Sequence, residues 1–170
     1  ETEALWEKRF WRLFAVSLVV RVCMAVFLDL IPDEAYYWEL SRRLDLSYFD
    51  HPPMVAYFIA VFRLLFGDSV IAVRMPALVG FSVVLFAMFR LGKSLSGNSL
   101  VGFLSALLMH CTPAGLALGF IMTPDVPLAF FWSLGLLVFL RALEQDDWKN
   151  WALTGVCLGC GALSKYNMIF

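Results

Sequence analysis

Five polar positions have the types and surroundings to do chemistry. Asp33 follows Pro32 and opens a helical stretch, where a carboxylate can act as a general base. The same place also suits a purely structural first-turn acid, favoured by the helix dipole. Asp50 and His51 stand directly before Pro52 and Pro53, so a carboxylate and an imidazole are held in fixed directions. That pair could bind a phosphate or help to hold a divalent cation, although two ligands do not complete a metal site. The plain alternative is a turn in which Asp50 caps the following helix. Asp125 follows Thr123 and Pro124, an arrangement that equally fits N-cap, N1 and N2 of a helix. Lys165 falls in the outer half of the last apolar stretch, where a charge is costly unless it faces a cavity or a partner. The alternative there is snorkelling to the interface.

The background against which these residues stand is apolar. The chain has 170 residues, and 13 basic and 14 acidic side chains leave a net charge of −1. Apolar residues make up 61% and charged residues 16%, where soluble domains run at about 45–50% and about 25%. One core of this size cannot hide so much apolar surface, which argues against a water-soluble globule, a disordered chain and a basic nucleic-acid binder. Cys23, Cys111, Cys157 and Cys160 all lie inside apolar stretches, with no loops for disulfides to staple. The C-x-x-C of Cys157 and Cys160 lacks the strand-turn-helix setting of redox pairs. The charged start (Glu7, Lys8, Arg9, Arg12) before Leu13–Ile31 reads as an uncleaved first span rather than a cleavable leader. Glu1 in place of Met, and a last run that reaches Phe170 with no helix stop, read as a piece of a longer protein.

An all-α integral membrane bundle follows. A crossing needs about 20 apolar residues, and five segments qualify: 13–31, 70–89, 100–122, 126–143 and 151–170. The apolar run 54–66 would reach only about 20 Å. If it does not cross, Lys8, Arg9, Arg12, Arg90, Lys93, Arg141 and Lys149 share one side, against Arg42, Arg43, Arg63 and Arg74 on the other. If it does cross, most of the positive charge moves opposite the N-terminus. The positive-inside rule prefers the first arrangement, with a cytoplasmic N-terminus. Asp33 and Asp125 are then expected on the same, outer face of the membrane.

The outer loop 32–69 is expected to hold two short interfacial helices. Residues 33–46 place Tyr37, Leu40 and Leu44 on one stripe and Glu39, Arg42 and Arg43 on another, with Tyr36 and Trp38 suited to headgroup level. Residues 47–53 cannot be helical through Pro52 and Pro53. The second helix, 54–66, stops at Gly67. Arg21, Asp29, Arg63 and Arg74 read as pairing or snorkelling groups and His110 as a satisfied structural histidine. Gly155, Gly159 and Gly161 read as a close helix-packing face.

The strings PDEAYYWELSRRLDLSYFDHPPMVAYFI, FGDSVIAVRMPAL, MTPDVPLAFFW and LGCGALSKYNMIF, in this order and spacing, resemble the amino-terminal part of bacterial glycosyltransferase family 39 proteins. These belong to the dolichyl-phosphate-mannose-protein mannosyltransferase superfamily, with the GT-C membrane fold. The resemblance implies that Asp33 is the catalytic base, with Glu34 the acid beside it. It implies substrate or phosphate binding by Asp50, His51, Asp125 and Lys165. Relatives that modify lipid A usually carry lysine where this chain has His51. The implied reaction is mannosyltransferase-like transfer of a hexosyl or pentosyl group from a polyprenyl-phosphate donor to a lipid, glycan or protein acceptor. The implied location is the outer face of a bacterial inner membrane. The family continues with further spans, so an isolated piece of this length is expected to be inactive.

That chemistry also suits the residues on their own terms. A sugar on a polyprenyl phosphate already has a leaving group, so an enzyme must deprotonate the acceptor, align it and neutralise the departing phosphate. Asp33 can accept the proton, and Lys165, His51 and Arg42 or Arg43 can stabilise the phosphate. A single displacement inverts the anomeric centre. No cofactor is demanded beyond the divalent cation that Asp50 and His51 could help to hold. The competing reading is a fragment of a transporter or flippase for a lipid-linked substrate, which would gather its ionisable residues near mid-membrane. Here they gather at one interface, with Arg21 the main exception.

Overall fold

The computed structural model describes residues 2–169. Eight α-helices and one short 3₁₀ turn make up the described residues, and no strand occurs among them. Helix α1 is Thr2–Phe27, α2 Pro32–Leu40, α3 Met54–Phe66, α4 Val70–Ser96, α5 Ser99–Cys111, α6 Pro113–Leu118, α7 Asp125–Gln145 and α8 Trp148–Ala162, followed by 3₁₀ turn Tyr166–Ile169. Three of them, α1, α4 and α7, are long and apolar enough by length and composition to cross a membrane.

α4 is the central helix. It packs against α1, α3, α5, α6 and α7, and 61% of its most apolar stretch is buried, against 22% for α1 and 33% for α7. Its ends are set locally: Ser69 accepts from the Ala72 N–H at 3.3 Å, and Gly97 closes it with φ +69°. α1 meets the bundle along a narrow stripe, Phe10, Ser17, Arg21 and Ala25, with Phe10 stacked on Phe89 at 4.2 Å. α7 and α8 form a hairpin turned at Asp146 (φ +43°) and restarted by Asp147, which caps the Lys149 N–H. The α4–α5 contact depends on Gly102, where a Cβ would lie 2.6 Å from the Phe89 carbonyl.

Three boundaries differ from the sequence expectation. The stretch expected to cross as one helix over 100–122 is divided into α5 and α6. Pro113 has no N–H to donate and drives Thr112 into an extended conformation (ψ 148°), and the Thr112 hydroxyl then caps α6 by accepting from Gly115 N–H at 2.9 Å. The first interfacial helix ends at Leu40, not residue 46. The Tyr48 hydroxyl donates to the Leu40 and Arg43 carbonyls, and Tyr57 holds the Asp45 carbonyl at 2.8 Å, so 41–53 folds back as a stapled loop. The last helix stops at Ala162, because the Leu163 carbonyl accepts from the Met54 N–H of α3 at 3.1 Å instead of continuing the helix. Lys165 therefore lies in the turn beyond α8, not within it. Phe170, the end of the expected fifth span, lies outside the described residues.

Candidate functional site

The site begins with how α2 is held. Pro32 occupies the first turn, and Glu34 reaches back to the Ile31 N–H at 3.2 Å, half of a capping box. Glu34 is fully buried, and its carboxylate also accepts from Arg74 Nε (3.1 Å) and Nη2 (2.8 Å) and from the Met122 N–H (3.1 Å). Arg74, 1% exposed in α4, uses its remaining N–H groups on the carbonyls of Ala25, Leu28 and Asp29. The five guanidinium donors are thus matched by five bonds. One buried ion pair joins the end of α1, the start of α2, the second turn of α4 and the 119–124 connector.

This corrects the place given to Glu34. All its acceptor sites are turned inward and satisfied, so it is sealed from any substrate in this arrangement. Asp33, one residue earlier, faces the other way: it is exposed, and among the described residues nothing hydrogen-bonds or pairs with its carboxylate.

Tyr37, one turn along α2, is the centre of what remains. It is 6% exposed and belongs to the apolar cluster of Val55, Ile59, Val73, Ala77, Met122 and Val126, so α2, α3, α4, the connector and α7 all meet beneath it. Its hydroxyl lies 3.4 Å from His51 Nε2, with the two rings edge to face at 5.5 Å. Tyr36 donates to Asp50 Oδ2 at 3.3 Å. Burial pushes the Tyr37 phenol above its ordinary pKa, and the charges of Asp33 and Asp125, then neighbouring Tyr36, then Asp50 push it further. Three carboxylates far apart in sequence therefore lie within electrostatic reach of one phenol. Lys165 donates to Asp125 Oδ1 at 2.8 Å, with side chains 36% and 44% exposed. The α3–α8 bond from Met54 to Leu163 brings the double-proline turn and the lysine turn to the same end of the bundle.

Two of the expected phosphate ligands are elsewhere. Arg42 and Arg43 lie beyond the end of α2 at Leu40. Arg42 bridges Glu39 and Asp68 at 3.2 Å each and sits over the Trp38 ring, while Arg43 reaches only Glu39 at 3.8 Å. Asp68 also takes Trp38 Nε1 and Arg63 Nε, and these donors hold it below its ordinary pKa, the Trp38 bond first. Among the described residues no cluster of three or more His, Cys, Asp or Glu side chains is placed to hold a metal ion. Thr123 does not act as the cap of α7: its hydroxyl is buried without a partner, and Pro124 occupies the N-cap position.

Sequence reasoning did not single out Tyr37 or the Met122 N–H, and it read Arg74 as a pairing or snorkelling group without naming Glu34 as its partner. For Tyr37 the signal was its i+4 spacing from Asp33, which stacks the two on one side of α2. Arg74 was visible as a lone arginine in an apolar run, but nothing local names its partner forty residues away. A backbone donor such as Met122 leaves no trace in sequence.

A family model described as dolichyl-phosphate-mannose-protein mannosyltransferase matches residues 50–170. Among curated proteins, the chain is 29% identical over 144 residues to lipid A galacturonosyltransferase RgtD of Rhizobium johnstonii, covering 84% of this chain and 30% of that protein. It is 24% identical over 150 residues to the undecaprenyl phosphate-alpha-4-amino-4-deoxy-L-arabinose arabinosyl transferases of Yersinia pestis and Yersinia pseudotuberculosis, covering 79% of this chain and 27% of those proteins. The chain thus spans less than a third of the length of the curated relatives it matches. No solved structure matches it. The matched region runs from the Asp50-His51 turn through the connector and Asp125 to Lys165, well over half of the sequence, and on that ground the chain belongs to the dolichyl-phosphate-mannose-protein mannosyltransferase family.

Proposed function

We propose that this chain is the amino-terminal part of a membrane glycosyltransferase that moves a hexosyl or pentosyl group from a polyprenyl-phosphate donor to a lipid, glycan or protein acceptor at the outer face of a bacterial inner membrane. The observation that carries the reading is that the Tyr37 hydroxyl, one turn after Asp33 on α2, lies 3.4 Å from His51 beside Asp50, while the Met54–Leu163 bond brings the turn of Lys165, paired with Asp125, to the same end of an apolar bundle. The relatives' names, which describe transfer of galacturonosyl and aminoarabinosyl groups, support the class of donor and of lipid acceptor and give no preference for mannose. Five crossings are proposed, with α5 and α6 as one broken span, α8 with its 3₁₀ turn as the last, and α3 lying at the interface.

In this reading Asp33 takes the proton from the acceptor hydroxyl or amine as that atom attacks the anomeric carbon. The bond from that carbon to the phosphate oxygen breaks, and its electron pair leaves with the polyprenyl phosphate. Lys165 moves from Asp125 onto the phosphate, and His51, when protonated, adds a second positive charge. Inversion follows from a single displacement. Glu34 does no chemistry; with Arg74 it fixes the first turn of α2 and hence the direction of Asp33.

Asp33→Asn in the full-length protein tests the reading. A general base contributes about 10²–10⁴-fold, so transfer should fall by at least that amount while membrane insertion and thermal stability stay at the wild-type level. Turnover retained in a folded Asp33→Asn protein would refute the assignment.

A further inference from the structure

Arg21 is the charged side chain that the proposed reaction leaves unused. It sits six residues before the end of α1, about 9 Å along the helix, and is 5% exposed. Its guanidinium bonds Ser17 Oγ one turn back, lies 2.8 Å from His110 Nδ1 and donates to the Gly115 carbonyl at 3.1 Å. It rests over the Phe81 ring at 4.1 Å. Nε has no partner, and among the described residues no carboxylate pairs with the group. A buried cation without a counter-ion is costly in general, and a contact over an aromatic face offsets only part of that cost.

The geometry shows what the charge is applied to. α6 has six residues, and its last four carbonyls have no partner within the helix. Arg21 takes the carbonyl of Gly115, and a cation at that end also meets the negative pole of the helix. Four residues on, Gly119 packs so closely that a methyl group there would overlap the guanidinium. The 119–124 connector is therefore packed against Arg21 at Gly119, just after the Gly115 carbonyl that Arg21 binds, and bonded to Glu34 at Met122. Asp125, with Lys165 on it, comes immediately after.

We infer that Arg21 is a positioning residue: it sets the connector that carries Asp125, and so places the Asp125–Lys165 pair relative to Asp33. The inference rests on the proposed reaction for its kinetic consequence, but its structural consequence is independent of activity. Arg74 holds Glu34, and with it the turn of Asp33, through the carbonyls of Ala25, Leu28 and Asp29, which Arg21 does not touch, so loss of Arg21 should displace the donor-phosphate side of the site and leave the acceptor side in place.

The test uses the full-length protein with its native cysteines replaced by alanine and a single reporter, Thr123→Cys, on the connector. Arg21→Met keeps length and removes charge. It should raise the labelling rate of the reporter by a water-soluble maleimide about tenfold and raise the donor KM by a similar factor, with acceptor KM unchanged, because sub-ångström to ångström misplacement has effects up to about 10²-fold. Arg21→Lys should recover part of both. Gly119→Ala, with Arg21 intact, should reproduce both changes, and it carries the test if Arg21→Met fails to insert. Wild-type labelling and donor KM in a folded Arg21→Met or Gly119→Ala protein would overturn the inference, as would equal rises in donor and acceptor KM. If the proposed reaction is wrong, Asp33→Asn retains turnover, while the labelling arm still decides the role of Arg21.

Discussion

At Glu34 and Arg74 the protein has buried two opposite charges, both side chains being almost fully enclosed. Such a pair adds little net stability over apolar residues of the same shape, yet removing one member leaves the other charge stranded. Glu34→Gln preserves the shape and should lower unfolding free energy in detergent by about 3–5 kcal/mol. Glu34→Gln with Arg74→Met should cost less than the sum of the two single changes, the sign of coupling that a double-mutant cycle reads. Additive losses would mean that the two side chains act independently. The contrast with Asp33 is instructive: of two adjacent acids, one is fully buried with four bonds and the other is exposed, with none among the described residues. Residue types and spacing made Asp33, Asp50, His51, Asp125 and Lys165 visible in the sequence. They could not reveal that Glu34 turns inward, since both residues occupy the first turn of α2 and only the position of Arg74 tells them apart.

Among the elements, helix starts were more legible than helix ends. Proline and glycine announced the breaks at Pro52–Pro53 and Gly67, and Thr112–Pro113 carried an equally clear signal that a hydropathy-length argument passed over. The ends at Leu40 and Ala162 were hidden because they are imposed from outside, by Tyr48 on one and by the Met54 N–H near the other. The contact between α4 and α5 turns on Gly102, which faces the Phe89 carbonyl and side chain. Gly102→Leu should force the two helices apart and cost about 1–3 kcal/mol in thermal unfolding. The same change at Gly155, which has open space beyond it, should be nearly neutral. Equal effects at the two sites would show that α4 and α5 do not pack in this register.

On the scale of the whole molecule, the charge asymmetry of the sequence makes a sidedness prediction. Single cysteines placed at 33 and at 125 in a background without native cysteines should both be labelled from outside intact cells by a membrane-impermeant reagent. Labelling from opposite sides would remove any shared site. The arithmetic behind this, basic residues concentrated with Arg90, Lys93, Arg141 and the N-terminal cluster, needed no structure. What needed it was the meeting of α2, α3, the connector and the turn after α8 at one end, because those contacts join distant residues, Glu34 with Met122 and Met54 with Leu163.

The Arg74–Glu34 pair also bears on how the chain comes to be built. Its partners emerge from the ribosome in a fixed order: the α1 carbonyls, then Glu34, then Arg74, and last the Met122 N–H, 48 residues after Arg74. Until that last donor arrives, Glu34 Oε1 has only one of its two bonds, the one from Arg74 Nε. Completion of α6 and the connector thus supplies the last donor to Glu34 and closes this end of the bundle from behind. A nascent chain stalled short of Met122 should hold α1 and α4 in the membrane with the base-bearing turn still loose.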